Sequence, residues 1–364
     1  MLKNKFCGAV SDFRDSPVFR PKELGHKLIF EKAILSIKLT EKPIDFLLLW
    51  VYNQEKSNVS EISMGYLFLA VALAAGVTKG YCGKKTSSAI VSNSDSMIMN
   101  VLRMLLCIVI GFGLILFTER LDILRIDGGI LLITALSGIA SAAFVVSWLL
   151  SVRSGAYMMV EVFLLLGVIV PIVLCRVLFG EEIGVWQIVG VAILLVAVFI
   201  MCTYNSSIKG KMKISSLLLL LLCGVSNGLA DFSQKLFVKL DPDGSAAVFN
   251  FYTYIFAAVV LALAYFIFRQ VDKRGAIKPR KPKEVIKPIW IYVLIMAICL
   301  FANSYFKTQA AHYLNAVQIY PLNQGCAVVL SLLMSALIFK EKINAKCIVG
   351  ICLSFVALLM INLL

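Results

Sequence analysis

Apolar runs of about twenty residues, separated by short polar segments, recur along most of this chain and set the solvent in which it can fold. A helix needs roughly 20 mainly apolar residues to cross the hydrocarbon core of a bilayer. Ten such runs can be read, at 64–83, 96–118, 128–151, 155–179, 184–203, 214–238, 245–268, 288–312, 315–339 and 344–363. Inside lipid every backbone polar group must be satisfied within the protein, so these runs are expected to be helices. The residue-by-residue alternation of an outer-membrane barrel is absent. With 60% apolar and 15% charged residues, a soluble fold of this length would lack the polar surface it needs. The expectation is an all-α membrane protein with ten transmembrane helices.

The net charge of +14 does not point to nucleic acid, because the basic residues sit mainly in short loops such as Lys209 to Lys213 and Arg269 to Lys287. Basic loops of this kind hold a segment against anionic lipid. The lipid bilayer is therefore the expected macroscopic partner, and no nucleic acid is expected. The ten cysteines are scattered, with no C-x-x-C spacing, so neither a zinc site nor a disulfide framework is indicated. Only two histidines, His26 and His312, are present. Without a nucleophile–base pair or a metal-binding cluster, the sequence reads as a non-enzyme with no cofactor and no metal.

Residues 1–62 read as a separate, non-spanning tail, charged and broken by Pro17, Pro21 and Pro43. No signal peptide is visible. Lys27 to Leu39 could form an amphipathic surface helix, and the tail fits a disordered segment equally well. Met64 heads the first apolar run, so a start-site artefact is a third reading: translation from Met64 would give the ten-helix protein alone.

The strongest single signal is self-similarity. The stretch from Leu178 to Gly190 aligns without a gap with Ile338 to Gly350, matching Phe179 with Phe339, Glu181 with Glu341, and Gly190 with Gly350. Val196 and Ala197 then meet Val356 and Ala357 in register. Gly76 and Gly80 correspond to Gly224 and Gly228, and Asn100 to Asn250. With five helices per half, the second half (213–364) would enter the membrane from the side opposite to the first (63–203). Inverted repeats recur in secondary transporters, with the substrate site near the midplane between halves.

On these residues the chain resembles the drug/metabolite transporter superfamily, specifically its EamA-like ten-helix members. Phe179, Gly180 and Glu181, the matching Phe339, Lys340 and Glu341, and then Gly190 and Gly350 carry that resemblance; Arg103 looks like the arginine such proteins often have in the second helix. The resemblance implies a secondary transporter in the plasma membrane, the inner membrane of a bacterium, exporting a small metabolite or drug by alternating access. It is compatible with a monomer or a homodimer. The last helix is also similar to that of small multidrug resistance proteins, but the glutamate those proteins need in their first helix has no counterpart near Gly76 or Asn227. A lipid-carrier flippase or a membrane scaffold of the same fold is the alternative.

Polar side chains inside spanning segments cost several kcal/mol unless they face protein or water. The cavity candidates are therefore Lys79, Asn227, Asn303, Lys307, Tyr320, Asn323 and Gln324, with Trp148 and Tyr157 as aromatic candidates beside Phe144. Gly224, Asn227, Gly228 and Asp231 share one helical face, as do Gly76, Lys79, Gly80 and Gly83; simple helix packing is the plain alternative for both stripes. Glu161 and Asp231 are candidates for proton or other ion coupling, since a desolvated carboxylate titrates at higher pH. Either could instead be a structural partner of Lys307 or Lys79. Basic residues outnumber acids among the candidates, which favours an anionic or zwitterionic substrate. By the positive-inside rule the loops after odd-numbered helices face the cytoplasm, placing both termini outside, whereas the resemblance implies termini inside.

Overall fold

In a computed structural model, residues 43–87, 90–118, 121–124, 127–153, 163–203, 214–274, 280–337 and 345–363 are described. The chain divides into two compact units, Met1–Glu61 and Ile62–Leu364. In the first unit only residues 43–61 are described, and they are helical. The segment Lys27 to Leu39 lies outside the described residues.

The helices are α1 (Pro43–Ser87), α2 (Asn93–Thr118), α3 (Gly128–Arg153), α4 (Ile169–Phe179), α5 (Val185–Thr203), α6 (Ile214–Leu240), α7 (Ala246–Arg274), the short α8 (Pro282–Ile286), α9 (Trp290–Tyr313), α10 (Ala316–Leu337) and α11 (Ala345–Leu363). A 3-10 turn covers Leu121–Leu124, and there is no strand among the described residues. Among the described residues, six segments are long and apolar enough to cross a membrane: Glu61–Gly83, Asn93–Thr118, Gly128–Trp148, Leu217–Leu240, Ala246–Lys273 and Trp290–Tyr313. Phe163–Phe179, Val185–Ala197 and Ile348–Ile361 are shorter apolar helices. α1 begins at Pro43, ahead of the apolar run that starts at 64. The helix expected over 155–179 is seen from Phe163 onwards, with a turn at Val168.

The apolar residues are distributed as lipid demands. Val109, Phe117 and Leu132 are 67%, 91% and 73% exposed, while Arg103, Asp231, Lys235, Gln234, Asn250 and Thr308 are buried. Lipid tails are as apolar as leucine, so helices here must associate through close packing and interhelical polar contacts. Three glycine crossings supply the packing. A Cβ on Gly224 would overlap the Phe163 carbonyl, and one on Gly228 the Gly167 carbonyl, so α6 lies backbone to backbone against residues 163–167. Gly138 on α3 meets Thr253 and Phe256 of α7, and Gly190 on α5 meets Ala357 and Ile361 of α11.

The most extensive helix contacts are α2 with α7, α3 with α6, and α5 with α11. Next come α3 with α7, α2 with α9, and α4 with α6. One large apolar cluster joins Leu69, Leu165 and Leu194 to Phe237, Phe249, Ile319, Tyr320 and Ile361, so residues from both sequence halves share a core.

Candidate functional site

The polar centre of the bundle is built on α9. Midway along it, the Asn303 amide donates to the Ala72 carbonyl of α1 at 2.6 Å, and Gly76 sits one turn further along α1, open enough for that amide to approach. One turn past Asn303, the Lys307 ammonium pairs with the Asp231 carboxylate of α6 at 2.5 Å, both largely buried. Tyr320, fully buried on α10, donates its hydroxyl proton to the Asp231 carbonyl at 2.6 Å. Pro321 follows it inside the helix; proline has no N–H to give the preceding turn, which leaves a carbonyl without its helical partner. On the other side of α9, Ser304 donates to Asn250 Oδ1 at 2.5 Å and accepts from Gln234 at 3.1 Å.

The two helices singled out by their matching asparagines make the same local bond. The Asn100 amide donates to the Ser96 carbonyl at 2.8 Å, and the Asn250 amide to the Ala246 carbonyl at 2.7 Å.

Each end of α9 carries an ionic tie. At its C-terminal end Glu181 accepts the Ala316 N–H at 2.9 Å, filling one of the unpaired donors at the start of α10. Lys235 lies 3.5 Å and Lys239 3.6 Å from the same carboxylate. Lys235 also donates to the Ala311 and Leu314 carbonyls at 2.8 and 2.5 Å, closing the end of α9. The Phe179-Gly180-Glu181 motif has a local cause: Gly180 takes φ +65° as the left-handed cap of α4, and its N–H returns to the Arg176 carbonyl. That turn delivers Glu181 beneath α10. At the other end of α9 Asp95 accepts the Val91 and Ser92 N–H groups at 3.1 Å and pairs with Arg280. The Ser94 N–H there bonds Asp272 of α7 at 3.0 Å. At 1.5 Å per residue the 24-residue α9 is about 36 Å long.

The residues proposed from sequence thus fall into four groups. Asn303, Lys307, Asp231 and Tyr320 are joined by contacts, and Asp231 has Lys307 rather than Lys79 as its partner. Asn227, Asn323 and Gln324 are partly exposed, and the buried Asn323 Oδ1 has no hydrogen-bond partner. Trp148 and Phe144 pack on Leu164, Leu220 and Cys223, which is core packing among α3, residues 163–167 and α6. Tyr157, Glu161 and Glu341 lie outside the described residues. His312 stands in the last turn of α9. No group of three metal-ligating side chains occurs among the described residues. Sequence reasoning passed over Lys235, although a lysine four residues past Asp231 and four before Lys239 marks a charged face inside an apolar run.

Glu181 should be the most sensitive residue of its tie. Glu181→Gln leaves Lys235 buried with backbone partners only. It is expected to lower the melting temperature of the purified protein clearly more than Glu284→Gln, in the short α8. Equal, small shifts would show that the tie is solvated.

This arrangement can be set against known proteins. Residues 214–363 match the family model described as the EamA-like transporter family. Over those residues the chain is similar to that family. The family is part of the drug/metabolite transporter superfamily, and the match together with the long apolar helices supports a multi-pass membrane protein. A solved structure titled "Crystal structure of protein" shares 13% identity, covers 83% of this chain and 97% of its own, and superimposes with a TM-score of 0.66. At that identity the likeness is one of fold. No curated protein matches the sequence.

Proposed function

We propose that the chain is a secondary transporter of the bacterial inner membrane that exports a small metabolite or drug by alternating access, around a central cavity between two inverted five-helix repeats. The observation that carries the reading is the helix contact pattern. Exchanging each helix of one half for its counterpart pairs α1 with α6, α2 with α7, α3 with α9, α4 with α10 and α5 with α11. Under that exchange the α2–α7, α5–α11 and α4–α10 contacts map onto themselves, α3–α7 maps onto α2–α9, and α2–α3 onto α7–α9, whereas α3–α6, α4–α6, α6–α9 and α10–α11 have no counterpart of similar extent. The matching bonds of Asn100 and Asn250 support the same register.

Alternating access needs ends that part in turn while the centre holds. Interdigitated apolar side chains part reluctantly, whereas an ion pair reached by water trades its partner for solvent at modest cost. The two ionic ties about α9 suit that role, one at each end. Asp231 is the coupling candidate among the described residues: protonating it would release Lys307.

The test is transport by the full-length protein in liposomes, with and without an imposed proton gradient, against a panel of amino acids, dicarboxylates, sugar phosphates, nucleobases and cationic dyes. Saturable movement of one class, absent from empty liposomes, is the expected result. A protein that moves none of them under either condition but scrambles a labelled lipid would favour the flippase alternative.

A further inference from the structure

Among the described residues, the centre of the bundle holds more positive charge than carboxylates to balance it. Lys79 on α1, Arg103 on α2 and Lys307 on α9 all lie within the membrane-crossing segments. Lys79 stands within electrostatic range of both Arg103 and Lys307, as expected from the Gly76–Asn303 contact that aligns α1 with α9. Lys307 has Asp231. Arg103 is only 9% exposed, and its Nε has no hydrogen-bond partner. Among the described residues no carboxylate pairs with Arg103 or with Lys79. The other groups in electrostatic range of Arg103 are the uncharged Cys107 and Tyr254, and the Tyr254 hydroxyl donates its proton to the Leu300 carbonyl.

A buried charge left unpaired in a membrane is costly, and such residues mark substrate or ion paths by default. The buried Arg103 and the partly buried Lys79 call for a counter-ion that comes and goes. The guanidinium fork matches a carboxylate or a phosphate with two parallel N–H bonds, and an ammonium adds a point charge to the same oxygens. We propose that Arg103, with Lys79 within electrostatic range of it, seats the anionic group of the transported solute, a carboxylate or a phosphate. The inference rests on the transporter reading and narrows it to anionic substrates.

The experiment is a thermal-shift titration of the full-length protein in detergent with succinate and, separately, inorganic phosphate. Choline chloride at matched ionic strength and tetraphenylphosphonium serve as controls. A ligand that binds only the folded state raises the melting temperature saturably. A rise with succinate alone assigns the seat to carboxylates, a rise with phosphate alone to phosphates, and either supports the proposal. Arg103→Gln is expected to weaken the binding by about 30-fold or more, with Arg103→Lys in between, while Lys281→Gln, in an exposed loop, leaves it unchanged. Should Arg103→Gln fail to fold, Lys79→Gln carries the same expectation.

No saturable rise with either anion, or a rise that these substitutions leave intact, overturns the assignment. Anion binding that emerges only in Glu161→Gln overturns it too, because a carboxylate of the chain would then fill the seat. Binding and transport are read separately. A protein that carries a cation or neutral solute and ignores anions keeps the transporter reading and loses the seat; one that binds an anion at Arg103 and moves nothing does the reverse.

Discussion

Lys307→Met, with Asp231 left in place, is expected to destabilise the protein by about 3–5 kcal/mol, the cost of stranding one member of a buried pair. Lys307 and Asp231 are 2.5 Å apart with side chains 11% and 7% exposed, so water is a poor substitute partner for either. The double substitution Lys307→Met with Asp231→Leu removes both charges and is expected to recover most of the lost stability, because replacing a buried pair by apolar groups is often close to neutral. Transport should not recover with it if Lys307 touches the solute. Melting temperatures of the three proteins in detergent separate these terms. Single substitutions that cost less than about 1 kcal/mol would place the pair in contact with solvent, where exposed ion pairs contribute little.

The second large effect concerns the α6 glycines. Gly228→Leu is expected to cost about 3 kcal/mol or more, the upper end of overpacking penalties, and to lower the yield of folded protein. The reason is specific: the Gly167 carbonyl and Val170 occupy the space that any side chain at 228 would need, and neither backbone can retreat without pulling α6 from residues 163–167. Gly80 is the repeat counterpart of Gly228, yet a Cβ there meets nothing within 4 Å. Gly80→Ala should therefore be tolerated. The comparison, read as melting temperature and folded yield, sets close packing against sequence symmetry. Equal effects at the two positions would show that the crossing is not what Gly228 is for.

That contrast also shows how far the sequence could be read. Apolar runs mark most of the helices, because lipid imposes length and composition directly. The Asn100 and Asn250 match appears again as one bond made twice, since a residue's contact with its own helix depends only on local sequence. Contacts between helices depend on which faces meet, and a single sequence does not say. Gly76, Gly80, Gly224 and Gly228 are indistinguishable as a stripe, but only the second pair is crossed backbone to backbone. Asp231 had two candidate partners, and only the placement of α9 against α6 selects Lys307. Trp148 and Phe144 share a face that could stack on a ring or pack in the core, and in the structure they lie against Leu164, Leu220 and Cys223. Glu181 was legible as a repeated motif, while its partners, Ala316 and Lys235, lie 135 and 54 positions away along the chain.

The most direct test of alternating access is thiol labelling at one central position. Asn303 lies midway along α9, against α1 of the other half. Asn303→Cys in a background with the ten native cysteines changed to alanine can be treated with a membrane-impermeant thiol reagent in right-side-out and in inverted vesicles. Alternating access predicts reaction from both sides of the membrane. Reaction from one side alone, or from neither, would contradict it.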